Sequence, residues 1–167
     1  MEIRLFTHQD CAVISAAFMA LGWNTPVEQY EKYFEEQQSG ERDVFIATVG
    51  EEFAGYATIH WSPPYQPFKD ADIPELRDLN VLPKFRRQGV GTALIKHAED
   101  VVSPRSDTIG IGVGMYPDYG NAQRLYVQLG YIPDGRGLTY RAKPLLPMEA
   151  TVNDDDLVLF FTKELKV

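Results

Sequence analysis

The 167-residue sequence predicts an α+β fold, a mixed and mostly antiparallel central sheet flanked by helices. Three observations predict it. Short β-branched and aromatic runs alternate with longer segments of helical period. Two of the runs are separated by so few residues that only an antiparallel hairpin can join them. Other strands are separated by whole helices, which calls for crossovers. Apolar residues make up 44% of the chain and charged residues 24%, the balance of a globular protein. The length suffices for a core without disulfides or metals, so one domain over residues 1–167 is expected.

The first expected strand is Ile3 to Phe6, followed by a helix capped at Thr7 or Asp10, running to about Leu21 and closed by Gly22. Thr25-Pro26-Val27-Glu28 combines an N-cap threonine, a proline at the first helical position and a capping-box glutamate. That second helix should reach about Gln38, with Val27, Tyr30 and Phe34 inward. Val44 to Val49 and Phe53 to Trp61 form the hairpin around Gly50-Glu51-Glu52. The Pro-rich stretch from Ser62 to Phe68 cannot be a central strand and is expected to lie over a surface or rim a pocket. Glu75 to Leu82 is a strand stopped by Pro83. Val90, Ala93, Leu94, Ala98, Val101 and Val102 keep helical spacing, which makes Gly89 to Val102 an amphipathic helix. Thr108 to Val113 is a strand, and Ala122, Leu125, Tyr126 and Leu129 mark the inward stripe of a helix closed by Gly130. Tyr131 to Arg141 and Leu157 to Thr162 complete the order β-α-α-β-β-β-α-β-α-β-β.

Charge and cysteine content narrow the function classes. A net charge of −8 and a pI near 4.8 oppose nucleic acid and anionic lipid and favour a cationic small partner, although acidity also serves solubility alone. Cys11 is the only cysteine, so no disulfide framework forms within the chain and no paired-cysteine zinc site exists. Three dispersed histidines argue against any other metal site. The longest apolar run, Cys11 to Leu21, is too short to span a membrane and lacks the flanks of a signal peptide. A cytoplasmic location is therefore expected.

Chemistry concentrates in Arg86-Arg87-Gln88-Gly89-Val90-Gly91. Its glycines let backbone approach a ligand, and the helix that follows turns its free N–H groups outward, a combination that favours phosphate. Arg86 and Arg87 add charge, and Lys84 can join the same rim. No Lys-Ser/Thr follows a glycine to make a P-loop, and no third glycine completes a dinucleotide fingerprint. A tight strand-to-helix turn with no ligand is the plain alternative.

The flanks carry more. Val81 to Leu94 matches V-x-P-x-[FY]-R-x-x-G-x-G-x-x-L, and Ala122 to Tyr131 matches A-x-x-L-Y-x-x-x-G-[FY]. In both the chain resembles the GNAT superfamily of N-acetyltransferases. The resemblance implies acetyl-CoA as cosubstrate, with no metal. It implies pyrophosphate contacts at Arg86, Arg87, Gln88, Gly89, Val90, Gly91 and Thr92, and pantetheine and acetyl contacts along the backbone of Leu79 and Val81. It makes Tyr126 the acid that protonates the departing thiolate. The asparagine that the family carries seven residues before that tyrosine is Tyr119 here, and Asn121 is taken as the pantetheine contact instead.

Direct acetyl transfer to a primary amine, with a small cationic acceptor, is the expected activity; a non-catalytic acyl-CoA-binding module is the alternative. A homodimer is left open. Glu75 lies six residues before Val81, where some family members carry a general base, and plain strand alternation puts it on the face of Leu79 and Val81. The competing role is a strand-end carboxylate that organises Arg77. On spacing alone Tyr126 is also a core tyrosine. His60 reads as a rim histidine or a secondary base, His97 as packing and His8 as part of a cap. Gly110, Gly112 and Gly114 share one strand face, which is explained if a cofactor or another backbone passes close by, or else if the strand is thin beneath a helix. Trp23, Trp61, Tyr65, Phe68, Tyr116 and Tyr119 are expected near the cleft, where aromatic rings can hold a cationic amine.

Overall fold

The computed structural model describes residues 1–165, so the last two residues of the expected 1–167 span lie outside it. In chain order the elements are β1 (Glu2–Leu5), α1 (Asp10–Met19), α2 (Val27–Ser39), β2 (Arg42–Val49), β3 (Glu52–His60), α3 (Gln66–Asp70), β4 (Glu75–Val81), α4 (Val90–Val102), β5 (Thr108–Gly114), α5 (Gly120–Gln128), β6 (Ile132–Tyr140), β7 (Lys143–Pro144) and β8 (Leu157–Glu164). The class is α+β, and β1 with β2, β2 with β3, β5 with β8, and β6 with both β7 and β8 pair antiparallel. The chain divides into two compact units: Met1–Trp61 with Leu76–Asp100, and Ser62–Glu75 with the chain from Val101 onward.

In the first unit the strands lie in the order β1-β2-β3-β4. The hairpin of β2 and β3 turns at Gly50, whose φ of 63° needs a glycine. Helices α1 and α2 cover one face, where Phe18 meets Phe53 and Tyr56 edge-on and Tyr30 meets Tyr56. On the other face His97 of α4 sets its ring edge-on to Phe45 of β2 at 4.7 Å, so it packs as expected. The start of α1 is tied by Asp10, which takes a fork of bonds from Arg4 and accepts the N–H and hydroxyl of Thr7, both at 2.7 Å. His8 stacks edge-on against Phe34 rather than capping with its ring.

The expected cap of α2 does not form. Pro26 occupies the N-cap position, and the Thr25 hydroxyl is buried without a hydrogen-bond partner while its carbonyl accepts Ser15 Oγ at 2.7 Å. Tyr30, rather than the whole Val27–Tyr30–Phe34 stripe, is the buried residue of this helix.

In the second unit the order is β5-β8-β6-β7. Its core corrects two expectations. The Pro-rich stretch leads into the short helix α3, and Tyr65 and Phe68 are buried, with Tyr65 stacked on Phe160 of β8 at 3.7 Å. The glycine face of β5 is filled by aromatic rings of the chain itself. A Cβ would meet the Phe68 ring at Gly110, the Phe160 ring and Val158 at Gly112, and the Tyr119 ring at Gly114. Neither a passing cofactor nor a second backbone is needed to explain that face. Tyr116 and Tyr119 donate to Asp155, holding its carboxyl below the usual carboxylate range.

Candidate functional site

The first unit contains the turn from β4 into α4 where the sequence places the phosphate contacts. After Val81 the chain makes a single turn over Pro83–Phe85 and bends through left-handed residues at Arg87 (φ 58°) and Gly89 (φ 82°) into α4. The first hydrogen bond of that helix runs from Ala93 N–H to Gly89 O at 2.9 Å. The amides of Val90, Gly91 and Thr92 therefore precede any intrahelical acceptor and point out of the helix start. Val90 buries its side chain and anchors the turn, whereas Arg86, Arg87, Gln88 and Gly89 stay exposed. Arg86 Nε donates to Val81 O at 3.1 Å and Gln88 Nε2 to Lys84 O at 2.8 Å, bracing the loop against the end of β4. Lys84, expected on the anion rim, pairs instead with Glu52 of β3.

Leu79 and Val81 lie half-buried on β4. The strand does not alternate plainly, because Asp78 in its middle has φ 51°. That left-handed residue interrupts the parity from which Glu75 was placed on the face of Leu79 and Val81. Asp78 accepts Arg42 Nη1 at 2.9 Å and the Thr58 hydroxyl at 3.2 Å. Arg42 also donates through Nε to Glu36 at 2.6 Å and lies over the Tyr33 ring at 4.3 Å. Burial pushes the Tyr33 and Tyr56 hydroxyls up, and the Asp78 charge adds to this, so both phenols stay protonated. At the end of β3, burial first and the charges of Arg42 and Arg77 second lower the pKa of His60, while Glu41 and Glu36 oppose them. His60 is neutral at pH 7, and its Nδ1 is buried without a hydrogen-bond partner.

Glu75, Asn121 and Tyr126 belong to the second unit. Glu75 is buried, 4% exposed, at the start of β4. Asn121 is exposed in the first turn of α5. Tyr126 is 5% exposed on the same helix, and burial alone pushes its phenol far up. Gln123, a residue that spacing did not single out, donates Nε2 to the Gly114 carbonyl at 2.8 Å and ties α5 to the end of β5. Arg42 and Asp78 were equally silent as motifs, because β4 also carries Glu75, Arg77 and Asn80 and nothing in the sequence singles Asp78 out among them.

No helix among the described residues is long and apolar enough to cross a membrane. The model of the acetyltransferase (GNAT) family matches residues 11–131. Among curated proteins none matches. Solved structures similar to this chain include a ribosomal-protein-alanine N-acetyltransferase from Brucella melitensis, at 18% identity and TM-score 0.72, covering 98% of this chain and 99% of that one. A protein from Salmonella typhimurium assigned as an acetyltransferase and solved with its cofactor acetyl-CoA has 16% identity and TM-score 0.72, over 99% and 94%. A mutant of the spermidine N-acetyltransferase of Vibrio cholerae has 15% identity and TM-score 0.70, over 99% and 95%. At such identities the likeness is one of fold, whereas the family match spans most of the sequence. The chain belongs to the acetyltransferase (GNAT) family and is an acetyl-CoA-dependent acyltransferase.

Proposed function

We propose that this enzyme transfers the acetyl group of acetyl-CoA directly to a primary amine on a small cationic acceptor. The observation that carries the cofactor side is the doubly left-handed turn at Arg87 and Gly89, which opens α4 with the amides of Val90, Gly91 and Thr92 facing outward. An open cradle of this kind fits a pyrophosphate: a Cβ on Gly89 would meet nothing within 4 Å, so there is room for an anion to approach. Arg86 and Arg87 add charge beside it. In this reading Leu79 and Val81 hold the pantetheine arm through their backbone, and Asn121 adds a polar contact.

When bound, acetyl-CoA supplies an activated thioester. The incoming amine must be neutral to attack, so a carboxylate that accepts its proton, directly or through water, is needed; Glu75 takes that role. As the new C–N bond forms and the C–S bond breaks, the thiolate needs a proton. Tyr126 supplies it, because its buried phenol is held protonated at neutral pH. The excess of acidic residues behind the net charge of −8 favours a cationic acceptor. Spermidine and ribosomal-protein acetyltransferases among the structural neighbours span both small polyamine and protein acceptors.

Thermal shift with CoA, followed by thiol release across a panel of amines, tests this reading. Gly91→Asp should abolish CoA binding by putting bulk and negative charge into the cradle. Tyr126→Phe should keep CoA binding and lower turnover about 100-fold. An unimpaired Tyr126→Phe enzyme would remove the tyrosine from the mechanism. CoA binding without thiol release from any amine would instead favour the acyl-CoA-binding module without acetyl transfer.

A further inference from the structure

The strongest feature that this chemistry leaves unused is the part-buried charge cluster at Asp78 of β4. Asp78 is the fourth of seven strand residues, and its φ of 51° is a conformation that side-chain-bearing residues rarely adopt, with aspartate among the more tolerant. Its carboxylate is held from the two strands on one side of β4: Arg42 Nη1 of β2 donates to it at 2.9 Å, and the hydroxyl of Thr58 on β3 donates to it at 3.2 Å. Arg42 Nη1 also reaches Thr58 Oγ1 at 2.9 Å, and its Nε is fixed by Glu36 of α2 at 2.6 Å. Arg42 is 7% exposed and Thr58 fully buried. Immediately after the kink, Asn80 Nδ2 donates to the Asp78 carbonyl at 3.3 Å and to the Tyr56 hydroxyl at 3.4 Å.

A desolvated guanidinium shared by two carboxylates gains little net stability, because the cost of taking the charges out of water offsets their attraction. What the cluster does hold is direction. It ties a left-handed residue in the middle of one strand to two strands and a helix, and two of the next three residues, Leu79 and Val81, are those whose backbone the cofactor reading uses.

We propose that Asp78 is a positioning residue: with Arg42, Glu36 and Thr58 it fixes the kink of β4 and, through the kink, the course of the backbone from Leu79 to Val81 that receives the acyl end of the cofactor. The proposal rests on the acetyl-CoA reading above. It assigns no contact between Asp78 and substrate. The loop from Arg86 to Thr92 lies beyond the kink and is braced separately through Arg86 and Gln88.

Two probes separate the parts. ADP carries a pyrophosphate and no pantetheine, so it reports the loop; acetyl-CoA reports loop and strand together. Asp78→Asn keeps the shape and the tolerance of a left-handed φ but cannot hold an ion pair. It should weaken acetyl-CoA about ten-fold by calorimetry while leaving ADP within about two-fold. In the ligand-free protein, amide hydrogen exchange at residues 79–81 should accelerate. Thr58→Val, which removes a single hydroxyl, should shift the same readouts in the same direction and carries the test if Asp78→Asn does not fold. Unchanged acetyl-CoA affinity and exchange in these variants would overturn the positioning role, and so would an equal loss for both probes. Failure of the unaltered protein to bind either probe would overturn the cofactor reading itself.

Discussion

Gly55→Ala measures how closely β4 is held against β3. A Cβ at Gly55 would sit 2.5 Å from the Asn80 carbonyl oxygen, 3.1 Å from Val81 Cα and 3.3 Å from Val81 Cγ2. Ordinary contact starts at 3.4 Å, so the closest approach is about 0.9 Å too short. Two of these three atoms are backbone and cannot swing aside as a side-chain tip does. The strands must part instead, stretching the Leu82 N–H to Ala54 O bond now at 2.9 Å. The φ of Gly55 lies outside the left-handed region, so alanine carries no backbone penalty and regains about 0.5–1 kcal/mol of chain entropy relative to glycine. Overpacking costs about 1–3 kcal/mol, which leaves a net loss of about 0.5–2 kcal/mol and a melting point lower by about 1–8 °C. Calorimetry gives the melting point, hydrogen exchange at residues 79–82 locates the strain, and acetyl-CoA affinity should fall more than ADP affinity. A Gly55→Ala protein as stable as its parent, with unchanged exchange at the end of β4, would refute the claim that this strand has a narrowly determined course.

Gly110→Ala should cost about 1–3 kcal/mol in denaturant unfolding, because its Cβ would lie 2.1 Å from the Phe68 ring; adding Phe68→Leu should recover part of that loss, and additive losses would show that the ring is not what excludes the methyl group. Gly89→Ala meets no atom within 4 Å but keeps a φ of 82°, so it should lose only about 1 kcal/mol, or about 2–4 °C in melting point, and an unchanged melting point would mean that the turn relaxes away from its left-handed form. His60 has a folded pKa below its unfolded value of about 6.5, so its neutral form contributes stability that is fully present above pH 6.5 and is lost as pH falls toward the folded pKa. Across pH 6.5 to 5 the melting point of the unaltered protein should therefore drop more steeply than that of His60→Gln, and parallel curves would contradict the shift.

Most helices and strands are legible in this sequence because their signals are local. Apolar spacing from Val90 to Val102 marks α4, and the β-rich runs on either side of Gly50 mark the β2–β3 hairpin. Gly130, with φ 90°, follows the end of α5 as expected of a helix terminator. Signals that depend on distant partners are not legible. Thr25 has the identity of a cap, yet its carbonyl is drawn to Ser15 and its hydroxyl caps nothing. Tyr65 and Phe68 sit among prolines like loop aromatics, and only β8, about 90 residues later, supplies the Phe160 ring that makes them core. The same distance hides why β5 carries glycines: Phe68 and Tyr119, from segments before and after it, need the space.

The candidate site divides along the same line. Arg86 to Gly91 is a contiguous motif whose turn is half legible: Gly89 is the residue type that a φ of 82° favours, whereas Arg87 takes a φ of 58° that its side chain does not announce. Glu75 is different, because its assigned face depends on counting residues along β4, and the count crosses Asp78. A left-handed residue inside a strand interrupts the regular alternation of faces, which period-two reasoning cannot anticipate. The residues that impose the kink, Arg42 and Glu36, come from another strand and a helix and match no motif. A buried cation held by two half-buried carboxylates is also a poor substitute for apolar packing on stability grounds alone. Where local propensity and strand parity both give way at one residue, and the following three residues lead to the end of the strand that opens the cofactor loop, the departure is better explained by what the strand must present than by what the core requires.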